Sequence, residues 1–187
     1  MLTLQFTPFP TLSTERFQLR ELLESDVKEI YIQRSHPTIQ KYIKREPARN
    51  EEDALAFIRK VREQELAGKS ITWVIVPKGE KALIGQVCLW NIEPENDKAE
   101  LGYSLHPDWF NKGVMTEVLR AIIDYGFSTM KLQQIDAFTH KDNLASRQVL
   151  HKSGFVRNTS FEKTYEDREE MEYNTIYTLL ENSGTLK

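Results

Sequence analysis

The stretch "ELGYSLHPDWFNKGVMTEVL", residues 100–119, decides the fold. A β-rich segment is stopped by Pro107, a short loop follows, and from Val114 apolar residues recur at helical spacing. Gly113 stands at the junction. A strand that runs through a short loop into a helix leaves the amides of Lys112 to Thr116 pointing out of the helix N-terminus, which makes an anion site. A glycine there removes the side chain that would hold an anion away from the backbone. Lys112 adds a charge and Thr116 a hydroxyl, both suited to phosphate oxygens. The plainer alternative is a junction in which Gly113 only makes the turn. Neither G-x-x-x-x-G-K-[ST] nor G-x-G-x-x-G occurs in the chain, which disfavours an ordinary NTPase or dehydrogenase.

Outward from this stretch, "STERFQLREL" (13–22) alternates like a strand. "ESDVKEIYIQRS" (24–35) suits a short helix capped by Ser25 or Asp26, and "NEEDALAFIRKVREQELAGK" (50–69) a longer one, opened by Asn50 and closed by Gly68. "SITWVIVPK" and "ALIGQVCLWNI" form a hairpin about "KGEK". The helix after Gly113 leads to the strand "QQIDAFTH" (133–140), and strand, helix, strand implies a parallel crossover. "DNLASRQVLHKS" (142–153) is a further helix. "GFVRNTSFEKTY" and "EYNTIYTLL" are read as two last strands around the polar loop "EDREE". The order β-α-α-β-β-β-α-β-α-β-β predicts an α+β protein, a mixed sheet with helices on both faces, in a single domain over 1–187.

The chain has 187 residues, 40% of them hydrophobic, enough to bury a core without staples. Lys plus Arg number 25 against 28 Asp plus Glu, and this net charge of -3 argues against a nucleic-acid partner. Cys88 is the one cysteine, so no intramolecular disulfide forms, and a reducing, cytoplasmic setting is expected. No apolar run approaches a membrane span, so no membrane partner is expected. His106, beside the loop, reads as a strand-end surface histidine before a catalytic one, His36, His140 and His151 are scattered, and no His/Cys/Asp cluster has ligand spacing, so no metal is expected.

Three motifs, "STERFQLRELLESDV", "ELGYSLHPDWFNKGVMTEVL" and "DNLASRQVLHKSGF", resemble in order the opening strand, the acetyl-CoA loop and helix, and the last helix of the GNAT N-acetyltransferases, most nearly the ribosomal-protein (RimJ/RimL-like) branch. The likeness runs from about residue 12 to 180. It implies the mostly antiparallel GNAT sheet, acetyl-CoA as co-substrate, and an amine acceptor that is a protein N-terminus or a small molecule, bound by a monomer or homodimer. The family's pyrophosphate motif, [Gln/Arg]-x-x-Gly-x-[Gly/Ala], stands here as Phe110-Asn111-Lys112-Gly113-Val114-Met115. An aromatic first residue is familiar in this branch; Met115, in place of a small residue, would narrow the loop. A role in scaffolding or signalling through bound coenzyme A is the alternative from another class.

The resemblance also distributes roles. The strand before the loop splays from its neighbour, and its backbone at Tyr103, Ser104 and Leu105 would pair with the pantetheine arm and supply the oxyanion contact. Asn143 resembles the family's cofactor-contacting asparagine, or is simply a helix cap. Ser146, one turn on, would return a proton to the departing thiolate. Acetyl transfer also needs a neutral amine, and Glu100, near the splay, is the first candidate for its base, with Tyr165 and Glu166 as rivals. From the residues alone, Trp90 reads first as a core or sheet residue, and its place at a strand end also suits the wall of an acceptor pocket. Acceptor choice is expected from the first two helices, the 36–50 segment and the loop "YEDREE", whose carboxylates, with Glu162, read first as a solvated charged loop and otherwise as an attraction for a cationic substrate.

Overall fold

The computed structural model describes residues 2–43, 45–164 and 174–181. Its strands are β1 (Leu12–Ser13), β2 (Phe17–Glu21), β3 (Ile71–Pro77), β4 (Gly85–Glu93), β5 (Lys98–Leu105), β6 (Gln134–His140), β7 (Val156–Arg157) and β8 (Asn174–Leu180). They make one sheet in the order β1-β2-β3-β4-β5-β6-β8-β7. Only β5 and β6 run parallel, joined by the expected helical crossover. The helices are α1 (Val27–Ser35), α2 (Pro37–Gln40), α3 (Glu51–Leu66), α4 (Val114–Asp124), α5 (Leu144–Lys152) and α6 (Thr159–Lys163). The architecture is the expected α+β sandwich with a mixed, mostly antiparallel sheet.

Each face of the sheet carries its own core. On one, Val114, Met115, Val118, Leu119 and Ile122 of α4 pack on Trp73, Val87, Leu101 and Ile135. On the other, Ile30 of α1 and Ala54, Ile58 and Val61 of α3 meet Leu22, Val74 and Val76. With both faces covered, all seven residues of β3 are buried, and for that reason "ITWVIVP" shows no alternation. The Asn50 side chain accepts from Asp53 N at 2.9 Å, three acids fill the first turn of α3, and Gly68 leaves the helix at φ +67°.

Three expectations change. The segment "GFVRNTSFEKTY" is a two-residue strand followed by a helix, because Asn158 Oδ1 accepts from Phe161 N at 3.0 Å and opens α6. Asp26 sits at the start of α1 but caps nothing there. Its carboxylate takes both Arg20 amino groups at 2.8 Å and Leu23 N at 2.9 Å, closing the short turn that precedes the helix. Met115 is buried in the α4 core, 5% exposed, so it does not narrow the loop before the helix. Tyr165 and the loop "EDREE" lie outside the described residues.

Candidate active site

Strands β5 and β6 pair only at Lys98–Gln134, Ala99–Ile135 and Glu100–Asp136. Beyond Glu100 they separate. β5 stays with β4 as far as Leu105, while β6 stays with β8 as far as His140, so a wedge opens in the middle of the sheet. Strand alternation decides which backbone groups line it. His106 N donates to Ile84 O on the β4 side and Gln133 N donates to Asp97 O on the β6 side, both at 2.7 Å. Even residues of β5 therefore turn their peptide groups to β4, and Tyr103 and Leu105 turn theirs into the wedge. Ser104 does not: its backbone faces β4 and its hydroxyl donates to Gln33 Oε1 of α1 at 3.2 Å.

At the end of β5 the chain enters the loop quoted above. Asn111 and Gly113 both lie in the left-handed region, at φ +59° and +70°. Alternating left-handed residues turn successive N–H groups toward one side, forming an anion-binding concavity that continues into the first turn of α4. A Cβ built on Gly113 would meet only Arg16 Nη2, at 3.7 Å, so the space over this glycine is open. Val114 and Met115 point into the core and offer only their amides. Phe110 is half exposed, and the Lys112 ammonium lies 5.3 Å from the Trp109 ring. The backbone shape, open on one side and positive, fits the diphosphate of coenzyme A.

On the α5 side of the wedge, Tyr103 Oη and Ser146 Oγ are 2.8 Å apart. Burial pushes the Tyr103 phenol up to about 12, against the smaller opposing effect of the Ser146 hydrogen bond. Asn143 opens α5 as its cap, its Oδ1 accepting from Ser146 N at 3.1 Å, so Tyr103, Asn143 and Ser146 form one connected group.

The opposite side of the wedge carries Glu100, the last paired residue, at its apex. Asn91 Nδ2 donates to Glu100 Oε1 at 2.6 Å. Burial raises the Glu100 pKa, and the Asn91 hydrogen bond opposes the rise while Asp136 and Glu93 add to it. Beside it a space of about 10 Å³ is bounded by Asn91, Glu100, Asp136 and Phe161, the scale of a single water. Trp90, 47% exposed, is the cross-strand partner of Glu100. A Cβ on Gly102 would stand 3.0 Å from Cys88 Sγ and 3.5 Å from the Trp90 indole nitrogen, so the absence of a side chain there lets the indole lie against β5 next to the wedge.

Residues 36–42 bridge the mouth of the wedge. The His36 ring meets His106, at the end of β5, with centroids 5.8 Å apart, and Tyr42 meets His140, at the end of β6, at 5.2 Å. His36, His106 and His140 each use Nδ1 to accept an N–H two residues ahead, which caps a short helix at His36 and at His106 and closes a turn at His140. Glu162 is tied to Arg157 by both oxygens and to Ile176 N. Burial pushes the Cys88 thiol up to about 12, which makes it inert. Among the described residues no group of three or more His, Cys, Asp or Glu could hold a metal, and no helix is long and apolar enough to cross a membrane. Gln33, Asn91 and Tyr42, and the Arg16 contact with the loop, escaped the reading of the sequence, because each acts through a partner distant in the chain or across a strand pair.

The chain is similar to known proteins. The family profile described as "Acetyltransferase (GNAT) domain" matches residues 16–156. The uncharacterized N-acetyltransferase YnaD of Bacillus subtilis is 30% identical over 170 residues, which is 91% of this chain and 96% of that protein. YoaA of the same organism, also an uncharacterized N-acetyltransferase, is 31% identical over 80% of this chain and 84% of its own. Among solved structures, a GNAT-family acetyltransferase from Bacillus anthracis superposes with a TM-score of 0.75 at 27% identity, covering 91% of this chain and 98% of that one. The ribosomal alpha-N-protein acetyltransferase RimL, in complex with coenzyme A, gives a TM-score of 0.79 at 18% identity over 94% of this chain and all of the other, a likeness of fold. With its profile over most of the length and relatives of matching extent, the chain belongs to the GNAT family and is an acetyl-CoA-dependent N-acetyltransferase.

Proposed function

We propose that the protein, a single catalytic domain over 1–187, acetylates the N-terminal amine of a protein, in the manner of the RimJ/RimL-like branch, by direct attack within a ternary complex. The observation that carries the proposal is the wedge beyond Glu100. It has a strand edge at Tyr103 and Leu105 for the pantetheine arm on one side and a bridged opening at residues 36–42 on the other. Ribosomal-protein acetyltransferases among the structural neighbours, RimL and a ribosomal-protein-alanine acetyltransferase from Vibrio fischeri at a TM-score of 0.74, support the choice.

Each residue then has one task. The amides of residues 112–116, with Phe110 and Asn111 shaping the loop, hold the diphosphate, and the thioester supplies the acetyl group. Tyr103 N–H donates to the carbonyl oxygen as that oxygen gains charge. Glu100, through a water held beside Asn91, takes a proton from the incoming ammonium so that a neutral amine attacks. Ser146 Oγ–H returns a proton to the thiolate. Tyr103 Oη and Asn143 hold Ser146 in place.

The test is mass spectrometry of products formed from acetyl-CoA, purified enzyme and a panel of peptides with free or blocked N-termini, alongside polyamines and lysine. Acetylation confined to free peptide N-termini is the expected result. Acetylation of the small amines alone would reverse the acceptor assignment.

A further inference from the structure

The motif "STERF" lies far from the thioester chemistry, yet the structure ties it to the coenzyme loop. Thr14 Oγ1 donates to Glu117 Oε1 at 2.6 Å, Arg16 N to the same oxygen at 2.9 Å, and Arg16 Nε to Glu117 Oε2 at 2.6 Å. Arg16 Nη1 donates to Lys112 O at 3.0 Å. Thr14 and Phe17 close the turn that presents these groups, through Thr14 N to Phe17 O at 2.9 Å and Phe17 N to Thr14 Oγ1 at 3.1 Å. The Arg16 guanidinium rests 5.0 Å from the centre of the Phe17 ring, and Phe17 is itself buried.

Glu117 poses an electrostatic problem that this arrangement solves. It lies in the first turn of α4, where a carboxylate favours the helix but competes with and repels an anion bound at the same amides. Thr14 and Arg16 turn both of its oxygens away toward β2, and the Arg16 charge neutralises it. Lys112 poses a second problem. It stands between the two left-handed residues Asn111 and Gly113, and its carbonyl must point away from an anion for the neighbouring N–H groups to converge on one. Arg16 Nη1 holds that carbonyl. The remaining amino group, Nη2, has no acceptor among the described residues and sits 3.7 Å from the place a Gly113 Cβ would take, on the open side of the loop.

From this geometry we propose that Arg16 is a positioning residue for acetyl transfer. It locks the loop in its anion-binding shape through Lys112, masks the Glu117 charge, and leaves the Nη2 amino group to meet a diphosphate oxygen. The inference rests on the reading of this loop as the diphosphate site, and it adds a requirement from the turn between β1 and β2.

The test is calorimetry of coenzyme A and of dephospho-coenzyme A, which keeps the diphosphate and lacks the 3′-phosphate. The proteins are wild type, Arg16→Ala, Arg16→Lys, Glu117→Gln and the double variant Arg16→Ala/Glu117→Gln, each with its Tm recorded. Arg16→Ala is expected to weaken both ligands at least tenfold, and Arg16→Lys, which keeps the charge without the planar donor set, to fall between it and wild type. The double variant should bind severalfold more tightly than Arg16→Ala alone, since it removes the carboxylate that the single change uncovers. A simple structural brace predicts the reverse, with the double variant the weakest, and that order would overturn the proposal. So would unchanged affinity in Arg16→Ala, or a loss confined to coenzyme A, which would put Arg16 at the 3′-phosphate. If Arg16→Ala fails to fold, Arg16→Gln, which retains a donor, takes its place in the same comparison. Wild-type protein that binds neither ligand would overturn the loop reading itself and this inference with it, a failure told apart because it precedes any substitution.

Discussion

The hydroxyls of Tyr103 and Ser146 lie 2.8 Å apart across the gap between β5 and α5. Ser146 is thus a held hydroxyl on the wedge side of its helix, its N–H fixed by Asn143 and its oxygen by Tyr103. If it returns the proton to the thiolate, Ser146→Ala lowers kcat by about 10²-fold, the low end for a general acid because thiols leave readily, with acetyl-CoA affinity kept within a few-fold. Tyr103→Phe removes one buried hydrogen bond, about 1 kcal/mol, and should lower kcat roughly three- to tenfold. In the double variant Tyr103→Phe adds little to Ser146→Ala, because it acts through the lost hydroxyl. Steady-state kinetics on the three variants checks this. A Ser146→Ala loss under about fivefold would reduce the serine to packing.

The base assignment carries its own sign. Burial raises the Glu100 pKa, and only the ionised carboxylate accepts a proton, so kcat/KM should rise with pH through a limb displaced upward from an ordinary glutamate. Glu100→Gln flattens that limb. Asn91→Ala removes the hydrogen bond that favours the charged form, so the same limb should move to still higher pH with the plateau largely kept. A pH profile unmoved in Asn91→Ala and still titrating in Glu100→Gln would pass the role to another group.

The parallel crossover, the hairpin, the Asn50 cap and the helix start at Val114 were all legible, because each is written within a few consecutive residues. The loop glycine was legible for the same reason. What was hidden depends on partners that no local pattern reports. Arg16 and Glu117 both stand inside motifs read from the sequence, but 101 residues separate them, and their pairing appears only when β2 is laid beside the start of α4. The irregularity in β4 between Trp90 and Glu93, which leaves Asn91 at φ +45° and within reach of Glu100, likewise comes from strand pairing rather than from turn residues. In "NTSFEK" an unremarked cap on Asn158 prevailed over apparent strand propensity.

Glu65 supplies a test of stability. This carboxyl is 8% exposed, accepts from Thr72 N at 3.0 Å, and is raised by burial to about 7 from its ordinary value, against the opposing pull of that hydrogen bond. The folded state holds the proton more tightly than the unfolded chain, whose Glu titrates near 4.3. The contribution is therefore full below that value, declines as pH rises, and is lost above about 7. Ionisation at pH 8 costs about 3–4 kcal/mol by this linkage. Glu65→Gln keeps an oxygen for Thr72 N and removes the titration. Denaturant melts should show the variant more stable than wild type at pH 8 and nearly equal to it at pH 4.5. A wild-type curve flat between those values would show that Glu65 titrates as an ordinary carboxylate.

Gly113 combines two requirements, and substitution can separate them. Its φ of +70° is costly for any residue with a Cβ, about 1–2 kcal/mol, and most of all for a β-branched one. The open space above it also has to admit the diphosphate. Gly113→Val offends both, so coenzyme A affinity should fall at least tenfold, about 1.4 kcal/mol, in a protein that still folds. Gly113→Asn tolerates the left-handed conformation and offends only the second. If the side chain is what obstructs the anion, Asn weakens coenzyme A nearly as much as Val while its Tm stays close to wild type. If backbone shape alone matters, Asn retains the affinity that Val loses. Calorimetry and melting of the two variants side by side distinguish these outcomes, and full affinity in a folded Gly113→Val protein would remove this residue from the site.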